Sequence, residues 1–233
     1  MKKIFAYFTK FEWGLLVGSI AMLTFAFVIN PNKDVLTFVG SLIGAVALVF
    51  LAKANITGQV LTIVFSTLYG IVSFKNHYYG EVITYVCMTM PSNIVSIVTW
   101  LKHPFQGQQT QVEIAEVGAK KTIAILAVSA VVTVAFYFVL KALGTASLIV
   151  STISIFTSTV AVLFGIFRSK YYAIGYATND VVLIVLWVIA TIKDSSNLCM
   201  VLCFVVFLVS DLYAFVNWTK LQKQQKELSK QTN

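Results

Sequence analysis

Residues Thr122 to Leu140 read TIAILAVSAVVTVAFYFVL, nineteen positions without a charge, bounded by Lys120 and Lys121 before and Lys141 after. A run of that length matches the roughly 20 apolar residues of a membrane-crossing helix and far exceeds the roughly 10 of a barrel strand. Its β-branched side chains would suit a strand, but apolar and polar positions do not alternate, so the run is helical. Working outward, comparable runs occupy Trp13 to Ile29, Val35 to Ala52, Thr57 to Phe74, Val82 to Leu101, Ser147 to Phe167, Tyr172 to Ile192 and Leu198 to Trp218. The expected fold class is an all-α membrane protein with eight transmembrane helices. The first run follows Met1, Lys2 and Lys3 as a signal peptide would. It is too long for that and lacks an Ala-x-Ala-like cleavage site before Asn30, so it is read as a helix.

Composition agrees. The chain is 58% hydrophobic and 11% charged, whereas soluble domains carry about 25% charged residues because water must be met over a large surface. A net charge of +8 then reflects basic loops at an anionic lipid surface, and nucleic acid is not an expected partner. Cys87, Cys199 and Cys203 fall in apolar runs, far along the chain from His77 and His103, so no metal site is expected. No nucleotide-binding loop or soluble domain suggests a cofactor.

Basic residues beside helix ends stay in the cytoplasm. With eight spans both termini share one side, and that side collects Lys2, Lys3, Lys10, Lys53, Lys102, Lys120, Lys121, Arg168, Lys170, Lys220, Lys223, Lys226 and Lys230. Only Lys33, Lys75, Lys141 and Lys193 fall on the other. Both termini are therefore expected inside a cell membrane.

A shift of 118 residues lays the second, third and fourth helices over the sixth, seventh and eighth without a gap and aligns Trp100 with Trp218. Identity under the shift is low, and the matched spans and turns carry the comparison. The fifth helix alone separates the triplets, so both cross in the same sense, as a parallel 3+1+3 repeat with a site expected between them at mid-membrane. The expected divisions are residues 1–34, a peripheral N-terminal helix; 35–101, the first three-helix repeat; 102–146, a cytoplasmic linker and connecting helix; 147–218, the second repeat; and 219–233, a basic cytoplasmic tail.

An ionisable group inside a span costs on the order of 2.5 kcal/mol or more at a helix centre and marks function unless partnered. Asp180 and Asp211 each lie roughly 10 to 12 Å from the cytoplasmic end of their helix at 1.5 Å per residue. No Lys or Arg lies in a span to neutralise them. That leaves protonation, a polar network with Asn179, Ser210 or a tyrosine, or a cationic ligand. On the fourth helix Tyr85, Thr89, Ser92, Asn93 and Ser96 recur at helical spacing, and Pro91 interrupts the backbone ladder among them. Tyr69 and Trp187 superpose under the repeat shift and either stack on a ligand ring or fill the bundle. Glu81, after Tyr79-Gly80, is read as an external helix start where a carboxylate suits the dipole.

The segments Tyr69-Gly-Ile, Tyr78-Tyr-Gly-Glu81, Met90-Pro-Ser-Asn93 and Trp100-Leu-Lys-His103 resemble the first triplet of PnuC-type nicotinamide riboside transporters, a SWEET-like fold. Asp211-Leu-Tyr213 and Asn217-Trp218-Thr-Lys220 are similar to that family's last helix. The resemblance covers about residues 35 to 222. It implies facilitated uptake of a pyridine nucleoside or similar vitamin, trapping by intracellular phosphorylation, and a homotrimer. Taken with the polar groups in the spans, the candidate substrate contacts are Tyr69, Tyr85, Thr89, Asn93, Tyr176, Asn179, Asp180, Trp187 and Asp211. Where the family commonly has Trp-x-x-Trp-x-x-x-Asn, this chain has Ala173, Tyr176 and Asp180. An acid in place of Asn favours a cationic ring, which nicotinamide riboside and thiamine carry and riboflavin does not. The rival from another class is an intramembrane aspartyl-type enzyme using the two acids as a dyad, and an accessory subunit would need neither.

The charge distribution generates a topological prediction. A cysteine placed at Gln108 should resist an impermeant thiol reagent in intact cells and react after permeabilisation; modification from outside would invert the topology.

Overall fold

The computed structural model describes residues 7–30, 33–106 and 108–232; the Lys2 and Lys3 of the charge count lie outside them. Among the described residues, eight helices are long and apolar enough to cross a membrane. They are α1 (Lys10–Ile29), α2 (Val35–Ala52), α3 (Ile56–Lys75), α4 (Tyr79–Lys102), α5 (Ala119–Leu143), α6 (Leu148–Ile166), α7 (Tyr171–Lys193) and α8 (Leu198–Thr232). Local chemistry sets the boundaries. Thr9 and Glu12 form a capping box at α1, the Asp34 carboxylate accepts from Leu36 and Thr37 at α2, and the Asn55 side chain accepts from Thr57 at α3. Gly144 ends α5 in the left-handed region, at φ 66°.

Two boundaries correct the sequence reading. Helix α4 begins at Tyr79, ahead of the expected Val82, because Glu81 and Val82 donate backbone hydrogen bonds to Tyr78; Glu81 is thereby drawn into the buried span. Helix α8 continues past Trp218, so the expected basic tail is helical as far as Thr232.

Pro91 leaves its mark upstream. It has no N–H for the Cys87 carbonyl, and its ring crowds that turn. Residues Ile83–Thr89 widen into a π-helix, with the Met90 N–H reaching the Tyr85 carbonyl. The helix is re-phased where its polar stripe begins.

Six helices close a ring in which α2, α3, α4, α6, α7 and α8 each pack on their neighbours and α8 returns to α2. Helices α1 and α5 lie outside it, α1 on α2 and α8, and α5 on α6. Their apolar windows are only 22% and 17% buried, against 56% for α2 and α6, as expected of helices whose other faces meet lipid. Each triplet is thus preceded by one outer helix, and α1, read as peripheral, occupies the place that α5 has in the second half. Residues equivalent under the shift meet on the local axis. The Trp187 indole N–H donates to the Tyr69 hydroxyl at 2.8 Å across a separation of 118 residues, and the Trp100 and Trp218 rings pack with centroids 5.7 Å apart.

The connection between the repeats is more than a linker. A short hairpin, β1 (Pro104–Phe105) against β2 (Gln108–Val112), lies under the basic face of the ring. Val112 N–H bonds the Ala54 carbonyl at 3.1 Å, Ala115 N–H bonds the Arg168 carbonyl at 3.0 Å, and the Gln225 side chain accepts from Ile114 N–H at 2.9 Å. One strap therefore holds the α2–α3 turn, the α6–α7 turn and the α8 extension. Lys226 pairs with Glu116 and holds its carboxyl below the usual range. The contact is present above the ordinary carboxylate pKa and is lost as pH falls through the lowered one. Across the same face, buried Glu12 is held by Lys53 at 3.1 Å and the Tyr213 hydroxyl at 2.9 Å, tying α1 to α2 and α8.

Close helix contacts depend on glycine. A Cβ at Gly175 would lie 2.7 Å from the Ala161 Cα, whereas one at Gly14 meets nothing within 4 Å. Gly175→Leu should lower the unfolding temperature in detergent by at least about 2 °C, from an overpacking cost of about 1–3 kcal/mol. Gly14→Ala should leave it unchanged or slightly higher.

Candidate functional site

The ring encloses a central cavity with about 50 Å³ open to the centre of a water molecule, space for roughly three or four waters. Its polar side chains are buried: Asp180 and Asp211 are each 2% exposed, Thr89 2% and Asn93 6%. Helix α7 supplies Tyr172, Tyr176 and Asp180 at i, i+4, i+8, one stripe of a 3.6-residue period. Helix α8 supplies Phe207 and Asp211, α4 supplies Tyr85, Thr89, Ser92, Asn93 and Ser96, and α3 supplies Gln59, Thr62 and Phe65. The polar stripe of α4 thus faces one interior, re-phased by the π-turn before Pro91.

Repeat equivalence is written into the lining. Thr62 and Asp180, Asn93 and Asp211, Gly44 and Val162, Ala47 and Gly165, and Thr89 and Phe207 are pairs under the shift, and both members of each pair line the cavity. The chemistry is not symmetric, because the first repeat contributes neutral groups and the second contributes acids. The two carboxyl groups are neighbours in the cavity wall, and among the described residues no Lys, Arg or His lines the cavity.

Several lining atoms have no protein partner: Asp180 Oδ2, Asp211 Oδ1, Asn93 Nδ2, Thr89 Oγ1 and Gln59 Oε1. A buried polar atom left unmet costs about 1–3 kcal/mol, so this set is built to be met by something that enters. Acceptors dominate, with one amide donor opposite. Phe65, Phe207, Tyr85, Tyr172 and Tyr176 supply aromatic wall, which suits a flat ring and, with the acids, a cationic one.

Three expected site residues stand elsewhere. Tyr69 and Trp187 bond each other two turns beyond Thr62 and Asp180, where with Tyr78 and Phe204 they form a buried aromatic layer closing the cavity from the face opposite the strap. They fill the bundle and do not line the cavity. Asn179 is turned about 100° from Asp180 around α7, so it faces α6, where its Oδ1 accepts from Ser154 at 3.1 Å, Thr157 at 2.8 Å and Ser158 at 3.0 Å. Toward the strap the cavity is closed by Trp100, Trp218 and Tyr172; the Trp218 indole donates to the Leu51 carbonyl at 2.8 Å, and its ring packs on Tyr172 at 4.6 Å.

Glu81 also departs from expectation. It is fully buried against Ser154, and neither carboxylate oxygen has a geometrically sound hydrogen bond. The external dipole role does not describe it. Gln59, Phe65, Tyr172 and Phe207 were missed as lining residues. For three of them the signal was present, since Phe65, Tyr172 and Phe207 each lie four residues from a residue already singled out.

The family model described as nicotinamide mononucleotide transporter matches residues 34–220. The chain is similar to the nicotinamide riboside transporter PnuC of Neisseria mucosa, at 28% identity over 229 residues, 96% of this chain and 86% of that protein. It is 22% identical to the Haemophilus influenzae nicotinamide riboside transporter PnuC over 200 residues, 85% of each. In three dimensions it resembles the crystal structure of the vitamin B3 transporter PnuC, with a TM-score of 0.83 at 26% identity and 94% of both chains covered.

The separation of closing layer from lining makes a prediction. Tyr69→Phe leaves the Trp187 N–H buried without an acceptor and should cost about 1–3 kcal/mol of stability, seen as a lower unfolding temperature in detergent. Asn93→Leu removes a group with no protein partner and should leave that temperature nearly unchanged.

Proposed function

Because the chain belongs to the nicotinamide mononucleotide transporter family, we propose that it moves nicotinamide riboside, or a closely similar cationic vitamin or nucleoside, across a cell membrane by facilitated uptake. The observation that carries the choice of ligand is the aromatic-walled cavity with Asp180 and Asp211 as neighbours and no basic side chain beside them. A pyridinium ring offers a flat face to the tyrosines and a positive charge to the acids; the carboxamide and ribose hydroxyls can meet Asn93, Thr89 and Gln59. The contact residues of this reading are Tyr85, Thr89, Asn93, Tyr176, Asp180 and Asp211, joined by Gln59 and Tyr172.

Closure on both sides of the cavity supports alternating access, in which the Tyr69–Trp187 layer parts toward one compartment and the Trp100–Trp218 layer toward the other. The strap face bears Lys53, Lys102, Arg168 and Lys220, which supports a cytoplasmic assignment for it. Phosphorylation of the delivered nucleoside in the cytoplasm would keep uptake running, and homotrimeric assembly is the arrangement that the family resemblance implies. Thiamine is the second reading, favoured by the same acidic pair. The aspartyl-enzyme reading has only the pair itself in its support, and the family speaks for transport without catalysis.

Proteoliposomes test the proposal. With pH equal on both sides, labelled nicotinamide riboside should enter saturably and stop at the external concentration. Asp180→Asn and Asp211→Asn should each weaken affinity for the cation on the order of tenfold, since Coulomb attraction in low dielectric is partly offset by desolvation. A neutral dihydropyridine analogue should lose far less. Equal affinity for the cation in wild type and both variants would make the acids structural and remove the argument from charge.

A further inference from the structure

The acidic pair has a consequence for protons. Two carboxylates side by side repel, and holding both away from water costs more still. Asp180 and Asp211 line the same cavity, are each 2% exposed and lie close enough to interact, which favours at least one proton on the pair.

The surroundings decide how many. From α2 and α6 only Gly44, Ala47, Leu48, Leu51, Val162 and Gly165 reach the cavity. The titratable groups facing the pair are Tyr85 on α4, Tyr172 and Tyr176 on α7 and Cys203 on α8, all neutral acids that can add no positive charge. Glu81 lies against Ser154 outside the lining. A singly protonated pair would leave one uncompensated negative charge in a closed, low-dielectric cavity, which costs several kcal/mol. Two protons leave none.

We propose that the empty, closed cavity holds Asp180 and Asp211 both protonated, and that a monocationic ligand exchanges for one of those protons. The balance is simple. One carboxyl O–H releases its proton to water on the side from which the ligand enters, and the remaining carboxyl donates to the new carboxylate. The resulting pair bears one negative charge against the ligand's one positive charge. When the ligand leaves, the carboxylate takes a proton from that compartment. The loaded and empty cavities are then both neutral, and a cycle trades one cation for one proton without moving net charge. The Asn that the family resemblance places at position 180 would leave any such exchange to Asp211 alone, because an amide holds no exchangeable charge. The proposal rests on the cationic-ligand reading above and deepens it.

Calorimetry on the detergent-purified protein between pH 6.5 and 8.5, in two buffers of different ionisation enthalpy, counts the protons released. Nicotinamide riboside and thiamine are the cationic probes and dihydronicotinamide riboside the neutral one. Cation binding should release close to one proton, with affinity tightening by up to about tenfold per pH unit as the proton becomes easier to remove. The neutral probe should release none and show a flat profile. Asp180→Asn and Asp211→Asn should each bind the cation more weakly, and the double variant should show no proton release. In proteoliposomes, uptake should alkalinise the lumen and ignore an imposed inside-negative potential. Cation binding with no proton release and no pH dependence, or uptake accelerated by the potential without a lumen pH change, would overturn the exchange while leaving the transport reading intact. Release of a proton on binding thiamine but no binding of nicotinamide riboside would do the reverse, and binding of neither cation would overturn both.

Discussion

In hydrocarbon every backbone polar group left unmet costs several kcal/mol, and water is not there to meet it. The architecture follows from that constraint. Each span satisfies its backbone as a helix, and serine and threonine hydroxyls that are not part of a cluster return to a carbonyl four residues back, as Ser41, Ser129, Thr159 and Ser210 do. Side-chain groups without such a partner fall in two places: Asn93, Thr89, Gln59 and the two acids line the cavity, while Ser66, Ser73, Glu81, Thr84 and Ser151 are buried between helices outside its lining. The first set is the one that something entering the cavity can meet.

The repeat turns this into a device with two closures. Packing two similar triplets about a local axis brings equivalent residues face to face, and at both ends of the cavity those residues are aromatic: Tyr69 with Trp187, and Trp100 with Trp218. Large rings seal a bundle well because each covers much area with few rotatable bonds. The two closures differ in what backs them. Behind the Trp100–Trp218 layer lies the strap, bonded to Ala54, Arg168 and Gln225 and so to both repeats. Behind the Tyr69–Trp187 layer there are the α3–α4 and α7–α8 turns. The two sides therefore have different mechanical partners, although their inner layers are equivalent by descent of the fold from its repeat.

Charge departs from that equivalence. Both acids belong to the second triplet, facing Thr62 and Asn93 of the first. The cavity is a shape with approximate two-fold character whose electrostatics point one way, and a ligand with a cationic ring at one end and hydroxyls at the other matches that polarity.

Helix number, most span boundaries and the parallel repeat were legible in the sequence, because hydropathy, Lys placement and the 118-residue shift act along the chain and need no tertiary contact. That Tyr85, Thr89, Asn93, Tyr176, Asp180 and Asp211 share one interior was legible because polar side chains at helical spacing inside an apolar run must share a sheltered face. Tertiary structure alone decided the rest. Depth along a helix and angle around it are separate coordinates: Asn179 has the depth of Asp180 but faces α6, and Tyr69 and Trp187 have the angle but lie two turns further on. Glu81 was mistaken for a surface group because α4 starts three residues before its apolar run does. Whether two acids one helix apart touch depends on the packing of α7 on α8. That they line one cavity is a property of the assembled ring.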